Sequence, residues 1–396
     1  MTGISRRPRR RMAILTGAVA TLSMMLAGCG GVLSNNGDGG GSSSGPIVLG
    51  MVVPLSGSSA ASGPPMQDGA QLAVNEINAK GGVLGRKLKL DVQDGACDAK
   101  TAVAAANKLV SQGAVASVGG YCSSATLPTL PVFNKAGVTM VIPGANSDDL
   151  VNQHLPNVFL INGTGSQQSA AAVKFMDKLG VKRVATMDDN TSYSVDIAKK
   201  VAEDLGADSS GPTIVHHESV TAGENDYTAN VTAVVKSDPD FVYWTGYYQE
   251  GGLIVRQLRQ AGYKGPIMVA DGSVDPKFVS IAGESFANGV YATMTETVET
   301  LPNAQKWVQD FKNTFHTAPG PYSAQSYDAV RVAAEGIKMA KSTDGAKISK
   351  ALEQINGFQI FSGPLKFTQD HTLAKGGFQI LEVKNGQFAL KDRLLG

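Results

Sequence analysis

The hydrophobic pattern switches period repeatedly between residues 47 and 270, and that alternation restricts the fold more than any other feature. Short apolar runs at 47–53, 87–92, 115–118, 138–142, 158–161, 183–187, 213–217, 241–244 and 267–270 predict strands. Between them, helical spacing predicts helices over 67–79, 99–112, 123–135, 167–179, 192–205, 227–236 and 251–261. In the first of these, Ala70, Ala73, Val74 and Ile77 line one face, and Gly81-Gly82 stops the helix as a C-terminal cap would. After a strand at 291–294 come helices at 305–314, 324–340 and 347–354. Short runs at 365–367, 377–383 and 387–390 then read as antiparallel strands. Such alternation implies doubly wound parallel sheets, with ligand sites beyond the carboxyl ends of their strands. A chain of 396 residues suits two such units at about 100–200 residues each.

The N-terminus predicts export and anchoring. Arg6, Arg7, Arg9, Arg10 and Arg11 precede an uncharged stretch at 12–26. That stretch suits the apolar core of a signal peptide and falls short of the roughly 20 residues a membrane-spanning helix needs. It ends in Leu26-Ala27-Gly28-Cys29, which resembles the lipobox of bacterial lipoproteins. Residues 1–28 are therefore expected to be removed and Cys29 to carry lipid. Pro8 and further arginines after Arg6-Arg7 favour the general secretory route over the twin-arginine one. Residues 29–46 comprise the lipidated Cys and a Gly/Ser-rich tether spanning roughly 20–25 Å. The body is expected to be lipid-anchored to the outer face of the cell membrane. Without residues 1–28, 30 basic residues face 34 acidic ones, a net charge of −4, which leaves no basic footprint for nucleic acid.

With Cys29 lipidated, Cys97 and Cys122 remain. Outside the cytoplasm such a pair reads as a disulfide closing a loop of about 25 residues, worth roughly 3 kcal/mol; a reduced buried pair is the alternative.

Enzyme signatures are missing: there is no Gly-x-Ser-x-Gly elbow, no phosphate-binding loop and no Cys-x-x-Cys pair. His216 and His217 are neighbours on a strand, pointing to opposite faces, which argues against a shared metal. No enzyme activity, metal or cofactor is expected. What remains are polar strand-to-helix turns. Gly119-Gly120-Tyr121-Cys122-Ser123-Ser124 and Pro143-Gly144-Ala145-Asn146-Ser147 offer backbone N–H groups and short donors suited to a carboxylate, or to ordinary helix capping. Tyr193, Tyr247 and Asp271 lie just beyond strand ends in the second half, where an acid and phenol rings suit an ammonium group. Together the halves suggest a clamp for a zwitterion.

Several strings are similar to one family. Ile77-Asn78-Ala79-Lys80-Gly81-Gly82-Val83-Leu84-Gly85, Asp94-Gly95-Ala96-Cys97-Asp98 and Cys122-Ser123-Ser124 resemble the leucine/isoleucine/valine-binding proteins of ABC importers. So do Glu224-Asn225-Asp226-Tyr227, the run from Asp240 to Tyr247, Ile281-Ala282-Gly283-Glu284-Ser285 and Gly363-Pro364-Leu365. The resemblance spans residues 47–390. It implies a type I periplasmic binding protein, two α/β lobes of the Venus-flytrap kind joined by three crossovers near 162–165, 292–297 and 361–363. One lobe would combine 47–162 with 296–361, the other 163–295 with 362–396, and the family disulfide falls on Cys97 and Cys122. By resemblance the ligand carboxylate falls on Ser123 and on the turn of Gly144, Ala145 and Asn146, and the ammonium on Tyr247 and Asp271. Tyr193 would close over the ligand and Tyr322 lie near its side chain. Asn146 stands where the family carries Thr, Asp271 where it carries Glu, and Ser62 at an aromatic wall position; these changes imply a roomier or more polar pocket. The implied function is a monomeric substrate-binding lipoprotein that hands an amino acid, branched-chain or related, to an ABC permease and its ATPase. The alternatives are a binder of amides, urea or aromatic acids, or a ligand-sensing receptor subunit.

Cys29→Ala is expected to release the protein from the membrane fraction, because no second anchor is expected. Full retention after a salt wash would refute the lipid anchor.

Overall fold

The computed structural model describes residues 45–301 and 304–394. The expected signal peptide, lipidated Cys29 and nearly all of the tether lie outside the described residues.

Two sheets organise the chain. The first has five parallel strands in the order β2-β1-β3-β4-β5: β1 Ile47–Val53, β2 Leu88–Asp94, β3 Ala116–Ser117, β4 Thr139–Ile142 and β5 Val158–Leu160. The second contains β6 Arg183–Asp188, β7 Thr213–Ser219, β8 Phe241–Trp244, β9 Ile267–Val269 and β10 Tyr291–Thr295. Beyond a two-stranded hairpin of β11 Asn356–Ile360 and β12 Gly363–Lys366, it is completed by β13 Phe378–Lys384 and β14 Gln387–Asp392. Its order is β14-β13-β10-β9-β8-β6-β7, antiparallel only where β13 meets β10 and β14. Strands β3, β4, β5, β8 and β9 are buried at every position. This follows from helices covering both faces, and it is why these strands read as continuous apolar runs.

Helix Gly63–Ala79 begins four residues before the expected 67, since Pro64 and Pro65 occupy first-turn positions where a missing N–H costs nothing. It packs against Ser323–Ala340 so closely that a Cβ on Gly69 would overlap the Ser323 carbonyl. The helix expected over 123–135 is broken. It runs as Ser123–Thr126, a 3₁₀ turn Leu127–Thr129 and Leu130–Lys135, because Pro128 and Pro131 remove donors from its ladder. Strand β11 went unforeseen, since Asn356-Gly357 hides a short run stabilised only by its hairpin partner.

The chain passes between the sheets three times: from β5 to helix Gly165–Leu179, from β10 to helix Gln305–Phe315, and before β13. After β10, helix Gly345–Glu353 returns to the first sheet, where the Thr139 hydroxyl donates to the Gly345 carbonyl at 2.9 Å. The third passage comes later than the expected 361–363. Leu160 N–H donates to the His371 carbonyl, and the His371 ring stacks on Phe159 at 4.1 Å, holding this segment against β5 until β13 joins the second sheet.

Cys97 and Cys122 are disulfide-bonded with Cα atoms 5.5 Å apart. The bridge ties the turn leaving β2 to the turn leaving β3, on either side of β1. The double substitution Cys97→Ser and Cys122→Ser is expected to cost about 3 kcal/mol through the freed loop, read as a lower denaturant midpoint. An unchanged midpoint would overturn that role.

Candidate functional site

The site gathers at carboxyl ends of parallel strands from both sheets. After β3, Gly119 and Gly120 let the chain turn against β1: a Cβ on Gly119 would strike the Val52 backbone, and Gly120 has φ +113°. The neighbouring turn after β4 is locked to it. Gly144 and Ala145 N–H both donate to the Gly120 carbonyl at 3.1 Å, and Asn146 and Ser147 N–H donate to Ser123 Oγ at 3.3 and 3.2 Å. The N–H groups expected to hold a carboxylate thus bind the two turns together. Ser123, accepting twice, keeps its own hydroxyl hydrogen to donate.

Across the cleft stands Asp271, which opens a 3₁₀ turn after β9 and is only 2% exposed. Ser273 anchors that turn by donating to the Gly246 carbonyl after β8. Three neutral groups donate to the carboxylate: the Tyr193 hydroxyl at 2.5 Å, Gln168 Nε2 at 2.8 Å, and the Tyr322 hydroxyl. Burial pushes the Asp271 carboxyl above its ordinary pKa, and these hydrogen bonds pull against it. Burial and the Asp271 charge push the Tyr193 and Tyr322 phenols well up, so both remain donors.

Each donor has a local cause. Thr191 caps the helix that presents Tyr193. A reciprocal capping box of Thr164 and Gln167 fixes the first turn of helix Gly165–Leu179, the turn that carries Gln168. Tyr322 precedes helix Ser323–Ala340 with φ +60°, an uncommon conformation for a bulky residue that costs of order 1–3 kcal/mol. Ser323, donating to the Pro65 carbonyl, helps to hold it there.

Tyr121, Tyr193, Tyr247 and Tyr322 form an aromatic wall around this group. Ring centroids lie 5.9 Å apart for Tyr121–Tyr247, 5.6 Å for Tyr121–Tyr322 and 4.9 Å for Tyr193–Tyr247. The Tyr247 hydroxyl, Ser62 Oγ and Asn146 Oδ1 are buried without a partner. A cavity of about 400 Å³ adjoins Tyr322, bounded by Val274, Pro321 and Phe388. Among the described residues no group of three or more His, Cys, Asp or Glu is placed to hold a metal.

All eight expected residues are therefore buried at the junction of the two halves. Tyr193 and Tyr322 differ from expectation in bonding Asp271 directly. Tyr121 and Gln168 were missed. The signal for Gln168 was an amide heading the apolar stripe Ala172, Phe175 and Met176. For Tyr121 it was an aromatic in the same glycine turn as Ser123.

The family profile described as periplasmic binding protein matches residues 46–387. The chain is 32% identical over 340 residues to the leucine-, isoleucine-, valine-, threonine-, and alanine-binding protein of Pseudomonas aeruginosa, covering 85% of this chain and 89% of that one. It is 32% identical over 337 residues to the Leu/Ile/Val-binding protein of Escherichia coli K12, with 85% and 90% covered. Among solved structures it is similar to the leucine-binding protein LivK of Thermotoga maritima, with a TM-score of 0.81, 27% identity, and 88% and 99% covered. It is also similar to LivJ of Streptococcus pneumoniae in complex with isoleucine, with a TM-score of 0.79, 30% identity, and 87% and 97% covered.

The raised Asp271 pKa sets a direction for stability. A carboxyl whose folded pKa exceeds its unfolded value stabilises the fold fully below the unfolded pKa and loses that stabilisation as pH rises through the folded one. Without ligand, the melting temperature of Asp271→Asn should therefore gain on wild type as pH rises from about 4 to neutrality. A constant difference, or one of opposite slope, would refute the burial effect.

Proposed function

The chain belongs to the periplasmic binding protein family, and from that membership and the site we propose that it captures a small zwitterionic amino acid between its two halves for an ABC importer. The observation that carries this reading is a buried carboxylate whose partners are all neutral. A buried charge without a counter-ion is costly. Neutral donors hold the carboxylate without cancelling its charge, and an ammonium group would supply the missing counter-ion. The tyrosine rings add faces that attract a cation. At the opposite end, the free Ser123 hydrogen suits the ligand carboxylate.

Capture follows from the division of labour. Ser123 belongs to the half built on the first sheet, Asp271 to the half built on the second. A ligand satisfying both binds the closed arrangement more tightly and shifts the protein toward it. The three passages between the sheets serve as the hinge in this reading. The ligand class follows the relatives, one of which is named for leucine, isoleucine, valine, threonine and alanine. We further propose that the exported protein is a monomer tethered through lipidated Cys29, delivering its ligand to a permease and its ATPase.

Titration calorimetry of the twenty standard amino acids tests the reading. For the tightest binder, Asp271→Asn should lose about 2–5 kcal/mol, roughly 30-fold to several-thousand-fold in affinity. Affinity within threefold of wild type would show that Asp271 is not the ammonium site.

A further inference from the structure

Gln168 is fully buried, and its amide can sit only one way round. Both hydrogens of Nε2 have acceptors, Asp271 Oδ1 and Thr293 Oγ1, each at 2.8 Å. An ionised carboxylate only accepts, so the amide cannot flip without setting oxygen against oxygen. Oε1 must then face Asn146, and it accepts from Asn146 Nδ2 at 2.8 Å. That bond in turn fixes the Asn146 amide. Its remaining atom, Oδ1, is an acceptor left without a partner in a residue only 1% exposed. A ligand carboxylate cannot satisfy it, since acceptor would meet acceptor, whereas an ammonium can.

We propose that Gln168 is a positioning residue which, through one amide, orients two acceptors for the ligand ammonium: Asp271 from one half and Asn146 Oδ1 from the other. This rests on the zwitterion reading and extends it. The ammonium itself then bridges the halves, so closure is sensed at the cationic end as well as between the two ends of the ligand. Asn146 acts at the ammonium and not, as its place in the turn had suggested, as a side-chain donor to the carboxylate. Its N–H, occupied by Ser123 Oγ, agrees with that.

The test uses L-leucine, L-alanine and L-threonine, each beside the 2-hydroxy acid that replaces its ammonium with a hydroxyl. Wild type should prefer at least one amino acid over its hydroxy acid by about 100-fold or more. Gln168→Met, close in volume, should weaken amino-acid binding about tenfold more than hydroxy-acid binding, narrowing that gap accordingly. Asn146→Leu should narrow it similarly, and keeps the test open should Gln168→Met fail to fold. The double variant should narrow the gap hardly more than either alone, because both residues lie on one hydrogen-bonded chain. Equal weakening of amino and hydroxy acids by Gln168→Met would mark a merely structural role, and an unchanged gap would mark no role; either overturns the inference alone. A wild type that does not favour any of these amino acids over its hydroxy acid overturns the zwitterion reading and this inference with it.

Discussion

Asp271 is a carboxylate buried with neutral donors and no counter-ion, and the rest of the site is arranged around that constraint. Hydrogen bonds from Tyr193, Gln168 and Tyr322 hold the charge in place but do not neutralise it. Each comes from a different element: two helix starts on the second sheet, and the turn that leads into helix Ser323–Ala340. The left-handed backbone at Tyr322 belongs to the same economy. A strained residue persists where its surroundings over-determine it, and here Ser323, the neighbouring helix and Asp271 all act on that point.

The opposite wall is organised by backbone groups. Two consecutive N–H groups converge on the Gly120 carbonyl and the next two on Ser123 Oγ, joining two turns into one rigid surface. The disulfide closes this surface from the side, since Cys122 immediately precedes Ser123. Rigid walls matter because a ligand can shift an opening and closing equilibrium only by its differential affinity for the two states. A soft wall would follow the ligand into the open form and weaken that difference.

Much of this was legible in the amino-acid order. Parallel strands covered by helices read as plain apolar runs, and Phe241–Trp244 and Ile47–Val53 were located to the residue. Asp271, Tyr247 and Ser123 could be chosen because polar residues just beyond such runs sit at the carboxyl ends of strands, where α/β folds place their ligands. Local chemistry also explains the misses near at hand: prolines broke the helix expected over 123–135, and Asn356-Gly357 concealed the start of β11.

The remainder depended on contacts between residues far apart in the chain. Gln168 meets Asp271 across 103 positions, and Tyr322 meets it across 51. No periodicity or capping rule encodes such a meeting, because it arises only when two sheets and their connecting passages pack together. Local order therefore set the strands, the helix starts and the identity of the buried acid. Long-range packing settled which neutral groups surround that acid, which way the Gln168 and Asn146 amides face, and so where the site still offers an acceptor.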